Sequence, residues 1–527
     1  MGQAIHIFKK DVRHLRFEIA IAITVAALFA FIETKHALWP VDLVNSRTLT
    51  SYLALLLLPV AWWMLIGRVV HDEALPGDRQ FWLTRPYSWR SLLGAKLLFI
   101  LAFVNLPMLI AQMVIVHAYG FSLGAELVGL VWSQVLLTIV FVLPILAISA
   151  LTDGFVQLIA GSLTPCVIAL AVFGLSVNFK PQFMLFGIAG GFANGHDWVR
   201  TYLIYLIITV AASAILFWQY SRRRTAIGRS FAAAAWILVG MVVYFISWNA
   251  ASKIDYALSR TQIDISSVRL VSDLGAERRP AGFRQGGDYV GVHVPLQFAG
   301  LPSGTRTRIE NLSMTFQVPD GTTWIADGFS WENPDPPDKQ IFVQSGFFGA
   351  AYLTHNDVPV KIHGTIDLTV YGNPHTTQIP FGERSVPVAH VGLCSANENP
   401  NRQNDYFLVC NSAFRAPTAL VSYRFVQPDE KSNDTNSLPM RNVSVPVRGE
   451  LGVSALMNPQ SMSFSPFPAN LRISPVSQDF RHSWSPTPWD HAVVETLEPV
   501  GHVRFDFDID LGKVPMYRSN NNEKIRP

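Results

Sequence analysis

Seven apolar segments, each close to the length of a membrane span, dominate the first half of the chain and constrain its fold more than any other feature. A helix needs about 20 apolar residues to cross the hydrocarbon core of a bilayer. Half of all residues are hydrophobic and 15% are charged, whereas soluble proteins carry about 25% charged residues. We therefore predict a membrane-embedded α-helical bundle. The predicted spans lie near residues 17–32, 53–70, 92–116, 127–151, 155–175, 202–218 and 231–248.

The interior of the predicted spans is neutral. The polar groups there are Asn105, Gln112, Gln134 and Gln157. Lys96 is close enough to one end of its span for the ammonium group to reach the headgroup region. Charges near the bilayer centre usually mark ion paths or proton relays, so the pattern disfavours an ion-driven carrier. Pro107 and Pro144 are predicted kink points in the two longest spans.

Residues 1–16 combine apolar residues at helical spacing with a basic flank. The apolar set is Ile5, Phe8, Val12 and Leu15, and the basic set is Lys9, Lys10, Arg13 and Arg16. This pattern predicts an amphipathic helix in the membrane interface. The alternative is a charged flank of the first span.

The distribution of Lys and Arg over the connecting segments predicts the orientation. With the N-terminus in the cytoplasm, the inner side carries Lys9, Lys10, Arg13, Arg16, Arg68, Arg79, Arg85, Arg90, Lys96, Arg222, Arg223, Arg224 and Arg229, and the outer side carries Lys35, Arg47, Lys180 and Arg200. Because seven spans is an odd number, residues 250–527 then lie outside the cytoplasm.

After Trp248 the hydrophobic period changes to two, which is typical of β-strands. In 360–370 and in 503–511, apolar residues alternate with polar or charged ones. Residues 250–527 are therefore predicted to form an all-β, sandwich-like extracytoplasmic domain. Cys394 and Cys410, both in this domain, are candidates for a disulfide bond, with two free thiols as the alternative.

Motifs for nucleotide, metal or hydrolytic chemistry are missing from the sequence. The pair Gly512–Lys513 is followed by Val514, so no phosphate-binding P-loop is encoded, and neither HExxH nor GxSxG occurs. A stripe of Lys and Arg with interleaved aromatic residues is also missing, which argues against nucleic acid as a partner. We predict no catalytic residues, no metal site and no cofactor in this chain.

Residues 71–96, HDEALPGDRQFWLTRPYSWRSLLGAK, form the longest charged interruption between the apolar segments, and the orientation places them in the cytoplasm. This stretch, together with FKKDVRHLRFE at 8–18, six spans, a tight inner hairpin at 152–154 and an apolar outer segment at 177–200, resembles the membrane (permease) subunit of ABC-2 type transporters. The resemblance covers about residues 1–220.

The resemblance implies a multi-pass subunit of the bacterial cytoplasmic (inner) membrane that pairs with a second permease subunit, identical or different. It also implies two cytoplasmic ABC ATPase chains. ATP and Mg²⁺ would bind to these chains and not to the permease subunit. The implied ATPase-coupling residues are Glu73, Asp78, Arg79, Phe81, Trp82, Arg85, Arg90 and Asp153. Alternatively, Phe81 and Trp82 lie in the lipid headgroup region.

The expected domain organisation follows from these observations. An interfacial helix (1–16) precedes a six-span domain (17–220), a basic inner loop with the seventh span (221–249) and the extracytoplasmic β-rich domain (250–527). The seventh span and the β-domain depart from the six-span pattern. They leave a second function open, that of a membrane-anchored extracytoplasmic binding or sensory protein without transport activity.

Overall fold

The computed structural model describes the helical half of the chain and much of the β-rich half. The described residues are 2–38, 47–72, 88–164, 197–246, 250, 253–254, 257, 268–271, 283–286, 289–292, 297–321, 323–327, 331–332, 342–343, 345–348, 359–382, 385–398, 406–412, 419–426, 441–443, 469–473, 491–513 and 516–518. Of the predicted apolar outer segment at 177–200, residues 177–196 lie outside the described residues.

The helices of the first half follow the apolar segments. They are α1 (Gly2–His14), α2 (Arg16–Leu38), α3 (Arg47–His71), α4 (Trp89–Ile100), α5 (Leu106–Ala118), α6 (Leu123–Leu137), α7 (Leu143–Leu151), α8 (Phe155–Thr164), α9 (Asp197–Arg222) and α10 (Thr225–Phe245). Residues 197–200, predicted to end the outer segment, instead belong to α9.

Five continuous helical stretches within the described residues are long and apolar enough to cross a membrane. They are Arg16–Thr34, Trp89–Ala118, Leu123–Leu151, Tyr202–Arg222 and Thr225–Val242. The other two predicted spans correspond to the shorter apolar helices Leu57–His71 and Phe155–Thr164. Long apolar helices consistent with a membrane protein are thus confirmed, whereas the total of six or seven spans stays a prediction.

Two π-helical turns interrupt the longest stretches. One, Leu101–Asn105, joins α4 to α5, and the other, Thr138–Val142, joins α6 to α7. Pro107 and Pro144 follow these turns by two residues. Proline has no N–H to donate to the carbonyl four residues earlier, and helix irregularities commonly coincide with prolines and π-turns. The two predicted kink points therefore coincide with breaks in the α-helical hydrogen-bond pattern.

Helix α1 is distinct from α2 and packs on α4. Its buried face contains Ile7 and Asp11, and Leu15 at the junction with α2 is also buried. Ile5, which the sequence assigned to the apolar face, is 46% exposed. Phe8 and Val12 are partly buried against the same core, so the predicted face was right except at Ile5. It missed Ile7 and Asp11, because apolar spacing alone does not reveal a buried acidic residue.

The second half of the chain is rich in β-strands. The strands are β1 (Arg269–Val271), β2 (Phe283–Gly286), β3 (Tyr289–Val292), β4 (Gln297–Ala299), β5 (Arg306–Gln317), β6 (Thr323–Asp327), β7 (Trp331–Glu332), β8 (Phe342–Val343), β9 (Ser345–Phe348), β10 (Pro359–Pro380), β11 (Val386–Val388), β12 (Gly392–Glu398), β13 (Tyr406–Ser412), β14 (Leu420–Val426), β15 (Arg441–Val443), β16 (Ala469–Ile473), β17 (His491–Lys513) and β18 (Met516–Arg518).

Two sheets enclose the main β core. The six-stranded sheet has the order β15-β14-β17-β10-β5-β6, and a four-stranded sheet has the order β11-β12-β13-β16. A second four-stranded sheet, β18-β2-β3-β9, and two strand pairs complete the described part. Val421 and Val494 of the larger sheet share one buried cluster with Ala396 and Cys410 of the smaller sheet. Apolar side chains thus join the two sheets.

The two longest strands of this region, β10 and β17, pair in antiparallel orientation. In β10 the predicted inward residues Val360, Ile362 and Ile366 are fully buried, and Lys361 is exposed as predicted. On the opposite face of the same strand, Thr369 is also buried, so β10 is covered on both sides there. Cys394 and Cys410 are directly opposed on β12 and β13, and they form a disulfide bond.

Candidate functional site

A buried ion pair lies where α1 meets α4. The ammonium group of Lys96 donates a 2.8 Å hydrogen bond to Asp11 Oδ2, and the exposed fractions of Lys96 and Asp11 are 1% and 0%. The expectation that Lys96 extends to the headgroup region is therefore wrong. A carboxylate within hydrogen-bonding distance stabilises the ammonium group inside the bundle, because a buried charge without a partner is strongly disfavoured.

Further polar contacts extend from α1 and α2 to the C-terminal end of α3. Asp72 Oδ2 lies 3.4 Å from Lys10 Nζ, and Asp72 Oδ1 lies 3.2 Å from His14 Nε2. On the neighbouring turns, Arg68 Nε lies 3.5 Å from Glu18 Oε1. Charged side chains thus connect the N-terminal helix to the helix that leads into the 73–87 stretch.

His71 connects the same end of α3 to the hairpin between α7 and α8. Its Nε2 lies 3.1 Å from the carbonyl oxygen of Ser149 and 3.0 Å from Thr152 Oγ1. A carbonyl oxygen only accepts hydrogen bonds, so Nε2 carries the proton in this arrangement. Within the hairpin, the backbone N–H of Asp153 donates to Gln157 Oε1 at 2.9 Å.

We call this group the polar frame. Its members are Lys10, Asp11, His14, Glu18, Arg68, His71, Asp72 and Lys96. The polar frame holds both boundaries of the 73–87 stretch: Asp72 precedes it, and α4, which carries Lys96, begins just after it.

Most of the predicted coupling residues lie outside the described residues. These are Glu73, Asp78, Arg79, Phe81, Trp82 and Arg85. Arg90 is exposed in the first turn of α4, where its guanidinium carbon lies 5.4 Å from the ring centroid of Trp89. Asp153 is exposed in the α7–α8 hairpin. His71 and Thr152, which the sequence analysis did not single out, connect this hairpin to α3.

A second, neutral polar cluster lies between the two kinked stretches. Asn105 Nδ2 donates to Thr138 Oγ1 at 3.0 Å. Gln112 Oε1 accepts from Ser133 Oγ at 2.8 Å and from Gln134 Nε2 at 2.7 Å. The structure thus brings together three of the four interior polar residues noted in the sequence. Each amide has a partner on the facing helix, so this cluster joins α4–α5 to α6–α7.

In the β-rich half, His375, His390 and Glu498 come together, although the sequence analysis predicted no metal site. Their nitrogen and oxygen ligand atoms all lie within 4.8 Å of one another. The three residues are far apart in the sequence, and their spacing matches no metal-binding motif. Sequence spacing therefore contained no signal for this cluster, which depends on strand pairing.

No protein-family model matches the sequence, and none of the curated proteins compared with it is similar.

Proposed function

We propose that this chain is the permease subunit of an ABC-2 type transporter and forms the translocation path for a substrate moved by a separate cytoplasmic ATPase. The observation that carries this proposal is the polar frame at both boundaries of the 73–87 stretch. A coupling element has to transmit force, and a rigid, ion-paired base meets that requirement. Its buried pair, Asp11–Lys96, joins the helix after the stretch to α1.

The chemistry of the stretch itself supports a protein partner. Phe81 and Trp82 provide aromatic anchors, while Asp78, Arg79 and Arg85 provide charges around them. Protein interfaces typically combine a few buried aromatic residues with a polar rim. Asp153, exposed in the hairpin that His71 connects to α3, supplies a second, smaller contact.

The proposed orientation places the polar frame in the cytoplasm and the β-rich half outside. The excess of Lys and Arg on the frame side supports it. A contact at the other end of the bundle does so as well: a Cβ atom at Gly120, in the turn between α5 and α6, would lie 3.6 Å from Leu393 Cδ1 of β12. The proposed assembly pairs this chain with a second permease subunit in the inner membrane.

The direct test is reconstitution with the ATPase. The proposal predicts that a neighbouring reading frame encodes an ATPase with the G-x-x-x-x-G-K-[ST] motif and that the two chains purify as a complex. Trp82→Ala is expected to weaken this complex by about 30-fold, the effect of losing an interface hot spot worth about 2 kcal/mol. Binding would be measured by titrating the ATPase onto the permease in nanodiscs.

Trp236→Ala is the matched control, because Trp236 is 46% exposed on α10 and belongs to no proposed contact. Equal binding by Trp82→Ala, Trp236→Ala and the unmodified chain would contradict the coupling role and assign Trp82 to the lipid headgroup region. Lack of ATP-dependent flux in proteoliposomes, with a ligand still bound by the β-rich half, would favour the membrane-anchored binding or sensory protein.

A further inference from the structure

Three irregular positions in the β-rich half direct side chains to one point. His375 comes from β10, Glu498 from β17 and His390 from the turn between β11 and β12. Glu498 Oε1 lies 3.2 Å from His375 Nε2 and 2.6 Å from His390 Nε2. The two imidazole rings are 6.1 Å apart between centroids. Two nitrogen ligands and a carboxylate thus meet where the six-stranded and four-stranded sheets approach each other.

The backbone at this point departs from regular strand geometry. The register between β10 and β17 shifts between Gly372 and His375, and Gly372 pairs with Glu498. Asn373, within this bulge, has a φ of 52°. Bulges of this kind redirect side chains and are over-represented next to functional sites.

His390 occupies a backbone position that favours glycine. The N–H of Val391 donates to the carbonyl of Val388, which closes a four-residue turn with His390 as its third residue. The φ of His390 is 59°, and this turn position normally takes Gly or Asn when φ is positive. Among the described residues only one other non-glycine residue outside this site, Arg223, has a positive φ. Such conformations concentrate at ligand sites.

The ligand set suits zinc. Zn²⁺ binds histidine nitrogen and carboxylate oxygen at about 2.0–2.2 Å, so ligand atoms in a tetrahedral site lie about 3.3–3.4 Å apart. The His375–Glu498 distance of 3.2 Å already fits this geometry. The His390–Glu498 distance of 2.6 Å has to increase, and the two histidine nitrogens, within 4.8 Å of each other, reach the ion by side-chain rotation. His375 and His390 are exposed and Glu498 is partly so, which leaves access for the ion.

We propose that His375, His390 and Glu498 form a binding site for Zn²⁺, with water as the fourth ligand. The ion joins the β10–β17 pair to the β11–β12 turn and thereby links the two sheets. Binding is expected to stabilise the folded β-rich half, because the three ligands come together only in the folded chain. This site does not depend on the proposed transport function.

The test uses the full-length protein in detergent, stripped with EDTA and desalted. Titration with Zn²⁺ alone is expected to give one equivalent bound and a higher melting temperature. Co²⁺ is expected to give the visible absorption of a tetrahedral site. His390→Gly removes a ligand and keeps a residue suited to the left-handed turn, so it should fold normally and bind zinc at least tenfold more weakly.

His363→Ala is the matched control. His363 lies exposed on the same strand and contacts one carboxylate, Asp508, without a second histidine. It should bind zinc like the unmodified protein. The proposal is overturned if the unmodified protein binds no stoichiometric zinc, or if His390→Gly and His375→Ala bind it unchanged; Glu498 would then serve only as a hydrogen-bond acceptor for the two histidines.

Discussion

At the scale of single residues, the pair Asp11–Lys96 is the most consequential contact of the helical half. Both side chains are removed from solvent, and the carboxylate lies 2.8 Å from the ammonium group. A buried ion pair adds little net stability compared with apolar side chains of the same size, but removal of one partner leaves a buried charge. We therefore expect the pair to favour the observed docking of α1 on α4 over other arrangements.

We expect Asp11→Asn or Lys96→Met to lower the free energy of unfolding by about 3–5 kcal/mol. The double variant Asp11→Leu/Lys96→Met, which removes both charges, should recover most of that loss. Thermal unfolding of the purified protein in detergent measures these differences.

The control for this prediction is Arg68→Met. Arg68 pairs with Glu18 at 3.5 Å, but its side chain is 54% exposed, so the expected loss is about 0–1 kcal/mol. Single substitutions at Asp11 and Lys96 that cost no more than Arg68→Met would show that the pair is dispensable.

At the scale of elements, a glycine sets the distance between α3 and α8. A Cβ atom at Gly67 would lie 2.4 Å from Leu158 Cδ2. On the same two helices, Trp63 Nε1 donates to Ser162 Oγ at 3.1 Å, and the ring of Trp63 lies 5.2 Å from that of Phe155. The lack of a side chain at Gly67 therefore permits the close approach that these contacts need.

We expect Gly67→Ala to lower the free energy of unfolding by about 1–3 kcal/mol through overpacking. Gly67→Ala should cost less in a Leu158→Ala background than in the unmodified chain, because the clashing Cδ2 methyl group is then missing. Gly94→Ala is the control: no atom lies within 4 Å of its Cβ position in α4, and alanine is favoured over glycine in a helix by up to about 1 kcal/mol. Equal effects at both glycines would contradict the close-packing argument.

At the scale of the whole molecule, the polar frame and the β-rich half belong to opposite ends of the helical bundle. Helix α1 packs on α4, where the third predicted span begins, and Leu393 of β12 approaches Gly120 after the end of that span. We propose that the span between them crosses the membrane, with the polar frame on the cytoplasmic side, where the excess of positive charge is predicted.

Cysteine labelling tests this arrangement in cells. We expect a membrane-impermeant maleimide to label Asp506→Cys from outside and Lys9→Cys only after permeabilisation, since both positions are exposed. The unmodified chain is the background control: Cys394 and Cys410 are bonded to each other, and any labelling of Cys166, the third cysteine, is subtracted. Labelling of both variants from the same side would contradict an odd number of spans.

Features that depend only on residues close together in the sequence could be predicted from the sequence alone. Hydropathy over about 20 residues indicates a membrane helix, because the bilayer has a fixed thickness. Likewise, alternation in 360–366 indicated a strand with one buried face, because successive side chains point to opposite sides. The prolines at 107 and 144 also indicated local interruptions before any packing was known.

Long-range pairing decided the rest. Asp11 and Lys96 are 85 residues apart, and His375 and Glu498 are 123 apart. Their types and spacing alone are typical of solvated surface residues, so the sequence indicated neither site. The docking of α1 on α4 and the register of β10 against β17 bring these groups together. Burial of apolar surface selects one arrangement of helices and strands. Polar groups enclosed by that arrangement must then find hydrogen-bond or ion-pair partners.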